Sequence, residues 1–302
     1  MNLLADYLRY VGATDKPEPL QVCELCGSTR FGVLRDTVVV RGAVRAPIRV
    51  AACAQCGLLF QVDRFNAAAY ERYYAERYRV AISNVAEPGE SFLQDQLSRG
   101  EHLYQRLSPC LPETGRIVDV GCGAGGLLVA FAQRGWDAEG IDPDYRAVAL
   151  GRRRFGLRLS AGVAEGMTIP DKSVDLILIT GSLEHVSDLN RVMSHCVRAL
   201  RPGGRILLEG WGLAQARLVG GFGHNQKRYF TDTSFRWLFG RHGIAVEFVT
   251  CESLCGPSRP GSVFAMGSAG PRPVDPFEAN VARCEGHALP LTHDDLYSLG
   301  IH

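Results

Sequence analysis

Residues 116–132 read Arg-Ile-Val-Asp-Val-Gly-Cys-Gly-Ala-Gly-Gly-Leu-Leu-Val-Ala-Phe-Ala, a short apolar run, a glycine-rich turn and an amphipathic stretch that stops at Gly135. This strand, loop and helix constrain the fold more than any other feature of the chain. Gly121, Gly123 and Gly126 fit the G-x-G-x-x-G spacing, in which absent side chains let a ligand approach the backbone and let the helix pack on its strand. The next strand, 137–142, ends in Asp142, 19 residues beyond Gly123, where a carboxylate can accept hydrogen bonds from both hydroxyls of an adenosine ribose.

Downstream periodicity extends the pattern. Leu189, Val192, Met193, Cys196, Val197 and Leu200 keep one helical face, started near Ser187 or Asp188 and stopped by Pro202. Apolar strands at 174–180 and 205–209 flank it. Alternating strands and helices predict an α/β fold, a Rossmann-like doubly wound, mostly parallel sheet with helices on both faces and ligands at the carboxyl ends of its strands. A dinucleotide or S-adenosylmethionine fits such a loop. A pyrophosphate favours a helix N-terminus free of negative charge, yet Asp119 sits two residues before the first glycine. That acid disfavours pyrophosphate and suits a cationic amino-acid ligand.

With these pieces the chain resembles the class I S-adenosylmethionine-dependent methyltransferases. The matching segments are Val118-Asp-Val-Gly-Cys-Gly-Ala-Gly126, Gly140-Ile-Asp142-Pro, Gly162-Val-Ala-Glu165 with Ile169-Pro-Asp-Lys-Ser-Val-Asp-Leu-Ile, Leu183-Glu-His185-Val-Ser-Asp and Leu200-Arg-Pro-Gly-Gly204, in the family's order over about residues 100–267. The resemblance implies S-adenosylmethionine as cofactor, with Asp119, Gly121, Cys122 and Gly123 by the methionine moiety and Asp142 at the ribose. Pro143, Ala164, Glu165 and Thr180 complete the expected set. Val163 stands where the family often has an acid that meets the adenine amine, which leaves the backbone or Glu165 for that contact.

Ahead of this domain, Cys23-Glu-Leu-Cys26-Gly27 and Cys53-Ala-Gln-Cys56-Gly57 repeat one C-x-x-C-G unit with 26 residues between Cys26 and Cys53. Each pair can supply one side of a Zn²⁺ tetrahedron, and the following glycine permits the positive φ of a tight knuckle. The β-branched runs between them, broken by Gly42 and Pro47, read as strands of a ribbon. The expectation is one structural zinc on Cys23, Cys26, Cys53 and Cys56, serving stability and docking. The other six cysteines are scattered and read as packed residues. The expected organisation is a zinc ribbon (1–62), a helical linker or lid (63–110), the cofactor-binding domain (111–270) and a tail (271–302).

In the linker, Asn66 reads as an N-cap and Tyr70, Tyr73, Tyr74 and Tyr78 share one face of a helix, either as core or as a cover for a ligand. A second helix is predicted over 91–108, with Leu93, Leu97, Tyr104 and Leu107 inward and Pro109 ending it. Methyl transfer to a hydroxyl or acidic carbon calls for a general base. His185, after the fourth strand, and His224, in the glycine-flexed loop Gly220-Gly-Phe-Gly-His-Asn-Gln-Lys-Arg-Tyr beyond the fifth, are the candidates. No carboxylate and histidine cluster of the catechol-methyltransferase type is evident, so a catalytic divalent metal is not expected.

Lysine and arginine total 33 against 32 acids, a net charge of +1 that lacks the basic excess of a dedicated nucleic-acid binder. No apolar run approaches the roughly 18–20 residues of a membrane helix, and the first ten residues lack the basic segment of a secretory signal. A cytoplasmic location is expected. The leading reading is methyl transfer to an oxygen or carbon of a small molecule, a sugar or secondary metabolite. A ribbon ahead of this domain is similar to the arrangement in sugar C-methyltransferases. An RNA-modifying methyltransferase with the ribbon on RNA is the second reading, and needs a basic face that only Arg152-Arg-Arg154 hints at. A nicotinamide oxidoreductase is the third, separable by binding of S-adenosylhomocysteine or NAD.

Overall fold

The computed structural model describes residues 3–41, 44–83 and 87–270. The tail 271–302, with Cys284 and His287, His293 and His302, lies outside the described residues. Seven strands form the main sheet in the order 158–161, 137–142, 116–120, 174–180, 200–211, 262–269, 244–250. All neighbours run parallel except Ser262–Ala269, which is antiparallel to both its partners. The mostly parallel sheet of the sequence reading is therefore observed, closed by one reversed strand. Val174–Thr180 lies in its middle and is buried along almost its whole length, which is why it reads as an unbroken apolar run with no alternation.

The helices obey the local signals. Asp144 accepts from the amides of Arg146 and Ala147 and opens Tyr145–Phe155, which Gly156 ends. Asp188 accepts from the Arg191 amide and opens Leu189–Ala199, whose Leu189, Val192, Met193, Cys196 and Ala199 are buried. Arg152, Arg153 and Arg154 end exposed at the last turn of their helix, a solvated terminus.

Two findings depart from the expected layout. The tyrosine helix is not one α-helix: Ala67–Arg72 leads into a π-helical turn, Tyr73–Arg77, and then Tyr78–Ser83. In that turn the Tyr78 amide donates to the Tyr73 carbonyl, an i to i+5 bond that brings two residues five apart onto one side, so their rings pack at 6.1 Å. Asn66 still caps the segment, accepting from the Ala69 amide at 2.9 Å. The following helix runs Glu90–Leu107, and its inner face carries Gln96 and Arg99 beside Leu93, Leu103 and Leu107, while Leu97 and Tyr104 are only half-buried.

The ribbon is also more than an appendage. Its antiparallel strands Phe31–Arg35, Val50–Cys53 and Leu59–Gln61 are joined by a fourth, Arg228–Tyr229, that the chain supplies from beyond the main sheet's fifth strand. Asp63–Arg64 pairs with Glu18–Pro19, so ribbon pairing continues to residue 64. One apolar cluster holds Cys23, Leu25 and Phe60 together with Ile179, Leu208 and Phe230. The ribbon shares a core with the sheet.

Candidate active site

The carboxyl ends of the central strands carry the expected acids. Asp119 is 1% exposed, and one of its carboxylate oxygens has no hydrogen-bond partner. Burial pushes its carboxyl up to about 7, with Arg99 only partly countering. Asp142 accepts from the amides of Gly123 at 2.7 Å and Asp144 at 2.8 Å, and burial lifts it to about 6. Between them Gly121 has φ +85°, and an added Cβ would lie 2.3 Å from Ser182, whose hydroxyl donates to the Val120 carbonyl. Only glycine fits that turn. Gln96 braces the loop from above, donating to the Cys122 carbonyl at 3.0 Å.

The remaining cofactor candidates divide. Thr180 is buried at its strand end and Pro143 follows Asp142. Cys122 packs its thiol on Gly140, where an added Cβ would meet it at 2.6 Å, so it offers the loop only its backbone. Ala164 and Glu165 form a single turn, and Glu165 accepts from the amides of Ser187 and Asp188. Its carboxylate is thereby engaged at the start of the Leu189–Ala199 helix.

On the other side of the strand ends, His185 Nδ1 lies 2.8 Å from the Asn225 carbonyl. A carbonyl only accepts, so Nδ1 carries the proton and Nε2 the lone pair. Tyr74 donates to the same carbonyl at 2.9 Å, and the rings of Tyr74 and Tyr78 cover the imidazole at 5.3 and 5.5 Å. Of the two readings of the tyrosine face, these contacts show packing: Tyr73, Tyr74 and Tyr78 lie in one apolar cluster with Tyr7 and Phe222. Burial, with the Lys227 charge, drives His185 down to about 3. Glu184 beside it is wholly buried, neither of its carboxylate oxygens has a hydrogen-bond partner, and burial raises it to about 8. Lys227 is sealed as well, its Nζ 3.7 Å above the Tyr70 ring and donating to the His185 carbonyl.

His224 is 8% exposed and sits in an aromatic chamber, edge-on to Tyr7, Tyr10 and Tyr73 at 5.8, 5.5 and 5.9 Å, with burial taking it down to about 4. The glycine-flexed loop that bears it is fastened to the ribbon. His224 donates its amide to Val39 at 2.8 Å, and Gln61 Nε2 donates to the carbonyls of Gly223, His224 and Gln226 at 3.0–3.1 Å. Gln61 belongs to a ribbon strand, a pairing across 163 residues that no local pattern encodes. Likewise Gln96 and Arg99 were legible only as polar residues on an otherwise apolar helical face.

The four knuckle cysteines converge. Their sulfurs all lie within 4.8 Å of one another, with Cys23–Cys56 at 3.6 Å and Cys26–Cys53 at 3.5 Å. A tetrahedron with Zn–S of about 2.3 Å has edges of about 3.8 Å. Gly27 and Gly57 take φ +75° and +71°, and donate to the carbonyls of Cys23 and Cys53. The cluster fits a zinc ribbon.

The profile of a family described as a methyltransferase domain matches residues 90–248. That is more than half of the chain. The chain belongs to this methyltransferase family. Among its relatives, an uncharacterized methyltransferase of Mycobacterium sp. (strain JLS) is 35% identical over 133 residues, 44% of this chain and 53% of the relative. A malonyl-[acyl-carrier protein] O-methyltransferase of Methylococcus capsulatus is 34% identical over 150 residues, 45% of this chain and 52% of that protein. A ubiquinone biosynthesis O-methyltransferase of Sinorhizobium medicae is 28% identical over 154 residues, 49% and 61% respectively. The chain thus spans about half the length of the curated relatives it matches. A methyltransferase solved in complex with the Haloferax volcanii Trm112 methyltransferase activator superposes with a TM-score of 0.51 at 17% identity, over 60% of this chain and 95% of that one, a likeness of fold. Among the described residues of the methyltransferase, no helix is long and apolar enough to cross a membrane.

Proposed function

We propose that the protein transfers a methyl group from S-adenosylmethionine to an oxygen or carbon of a small-molecule acceptor. The observation that carries the reading is the buried, unpaired oxygen of Asp119 beside a glycine loop whose Gly123 amide is held by Asp142. An unpaired buried carboxylate is costly unless a cation or donor reaches it, and the ammonium of a methionine moiety is such a cation. Asp119 would hold that group, the backbone of Gly121 to Gly123 would line its path, and Asp142 would accept from the ribose. When bound, the cofactor supplies an activated methyl on a sulfonium, with a leaving group that needs no proton.

What remains for the chain is to seat the acceptor and receive its proton. His185 is neutral and has its Nδ1–H fixed on Asn225, which presents Nε2 as a proton acceptor. His224 and its tyrosines line a small, uncharged cavity beside it, which makes His224 the second candidate for contact with the acceptor. Two of the relatives are named O-methyltransferases, which supports oxygen as the methylated atom. The knuckle cysteines hold a structural zinc, apart from the chemistry. Titration calorimetry of the full chain with S-adenosylhomocysteine tests the cofactor half: binding is expected, and Asp142→Ala should weaken it at least about tenfold, near 1.4 kcal/mol. Absence of binding, or an unchanged affinity in the variant, sinks the assignment. Incubation with S-adenosylmethionine and panels of hydroxylated and carbonyl metabolites, read as the mass gain of one methyl group, then identifies the acceptor.

A further inference from the structure

Glu24 lies between the first two knuckle cysteines, yet its side chain leaves the knuckle. Its carboxylate accepts from Arg228 Nε at 3.0 Å and Nη2 at 2.5 Å, a bidentate fork, and from Arg64. Arg228 is fully buried, and its third nitrogen, Nη1, donates to the carbonyls of Leu183 at 2.9 Å and Val186 at 2.7 Å. Those two carbonyls bracket Glu184 and His185. Neighbouring contacts run the same way: the Lys227 amide donates to the Glu184 carbonyl at 3.0 Å, the Asn225 carbonyl receives His185 Nδ1, and Arg64 Nη2 donates to the Lys227 carbonyl at 3.1 Å. Residues 225–228 therefore form a template for residues 183–186, and the charge on the far edge of Arg228 is met by the knuckle.

We infer that Glu24 is a positioning residue that, through Arg228, fixes the Leu183–Val186 segment and with it the orientation of the His185 imidazole. Its importance for catalysis rests on the reading of His185 given above. A guanidinium committed to two carbonyls at one edge keeps its full charge at the other, and in a buried place only a carboxylate there holds the fork in register. Lysine cannot replace it, having one nitrogen where three are used. The knuckle is further fastened by Asn190, whose side-chain amide donates to the Glu24 carbonyl at 2.6 Å, so the carboxylate is presented from a fixed point.

The test uses the full chain, with no acceptor required. Hydrogen exchange of the His185 and Lys227 amides and the ¹⁵N shifts of the His185 ring are compared in wild type and Glu24→Gln, with metal content measured alongside. The expected result is at least tenfold faster exchange at those two amides and loss of the single Nδ1–H tautomer, while metal content and exchange in the Asp232–Arg241 helix stay as in wild type. Unchanged exchange and ring shifts overturn the proposal. Should Glu24→Gln lose metal or fold poorly, Arg228→Lys decides: it leaves the knuckle sequence intact, and the same two changes are expected, with wild-type signals again overturning it. Calorimetry with S-adenosylhomocysteine on the wild type separates this outcome from failure of the cofactor assignment, since the exchange and tautomer readouts do not involve the cofactor.

Discussion

Asp119 is almost fully buried with an unpaired oxygen, and burial holds its proton to about pH 7. A cationic ligand selects the ionised form, so affinity for S-adenosylhomocysteine should climb as pH rises from 6 to 8 and level off above. The sign for stability is the opposite. A carboxyl whose folded pKa is raised adds stability that is whole below its unfolded value, near 4, and is lost as pH rises through about 7. The unliganded protein should therefore melt at lower temperature at pH 8 than at pH 5, and Asp119→Asn should reduce both trends, leaving the parts that Asp142 and Glu184, also raised by burial, contribute. Calorimetry and thermal melts across that range check it; a pH-independent affinity in the wild type counts against Asp119 as the ammonium partner. The place of Asp119 before the glycines was legible in the sequence, but its burial with an unpaired oxygen was not. Glu184 was not, because a glutamate after a strand looks like any surface acid until the burial of both its oxygens is seen.

At the scale of elements, the two knuckles repeat one set of bonds. Cys23 and Cys53 each donate an amide to a residue five further on, Ser28 and Leu58, and each accepts from the following glycine. The shared apolar cluster buries the knuckles but leaves four thiols side by side, and a metal is expected to add the free energy that holds them there. Protein purified without added zinc should carry about one ion per chain, the capacity of one four-thiolate site. Cys23→Ser should lose that ion and several degrees of melting temperature, while the glycine loop keeps its S-adenosylhomocysteine affinity. Metal analysis that finds a folded, metal-free wild type contradicts the zinc site. The knuckle spacing and the capping residues Asn66 and Asp188 were readable because each acts within five residues. The π turn at Tyr73–Arg77 was not, and the rings of Tyr74 and Tyr78 within and after it pack on His185, more than 100 residues away.

Across the whole molecule, a buried ion pair locks the helical cover to the sheet. Arg99, on the Glu90–Leu107 helix, meets Glu209 of the fifth strand at 3.0 Å, and Ser262 donates to the second oxygen of Glu209 at 2.9 Å. Glu209→Ala strands a buried guanidinium, a loss expected to cost about 3–5 kcal/mol. Denaturant unfolding measures it, and a change below about 1 kcal/mol would show that the pair is not what docks the helix. The strand, glycine loop and helix, the acid at the end of the second strand, the paired cysteines and the caps at Asn66 and Asp188 could be read along the chain, because each depends on backbone geometry or hydrogen bonds over a few residues. That Arg228–Tyr229 completes the ribbon's sheet, that Gln61 holds the His224 loop, and that Arg228 joins Glu24 to the segment bearing His185 follow from the folded arrangement alone. Those contacts join residues some 160 to 200 positions apart, where partners are selected by which polar groups are left buried together when the apolar surfaces close, and no local periodicity records that choice.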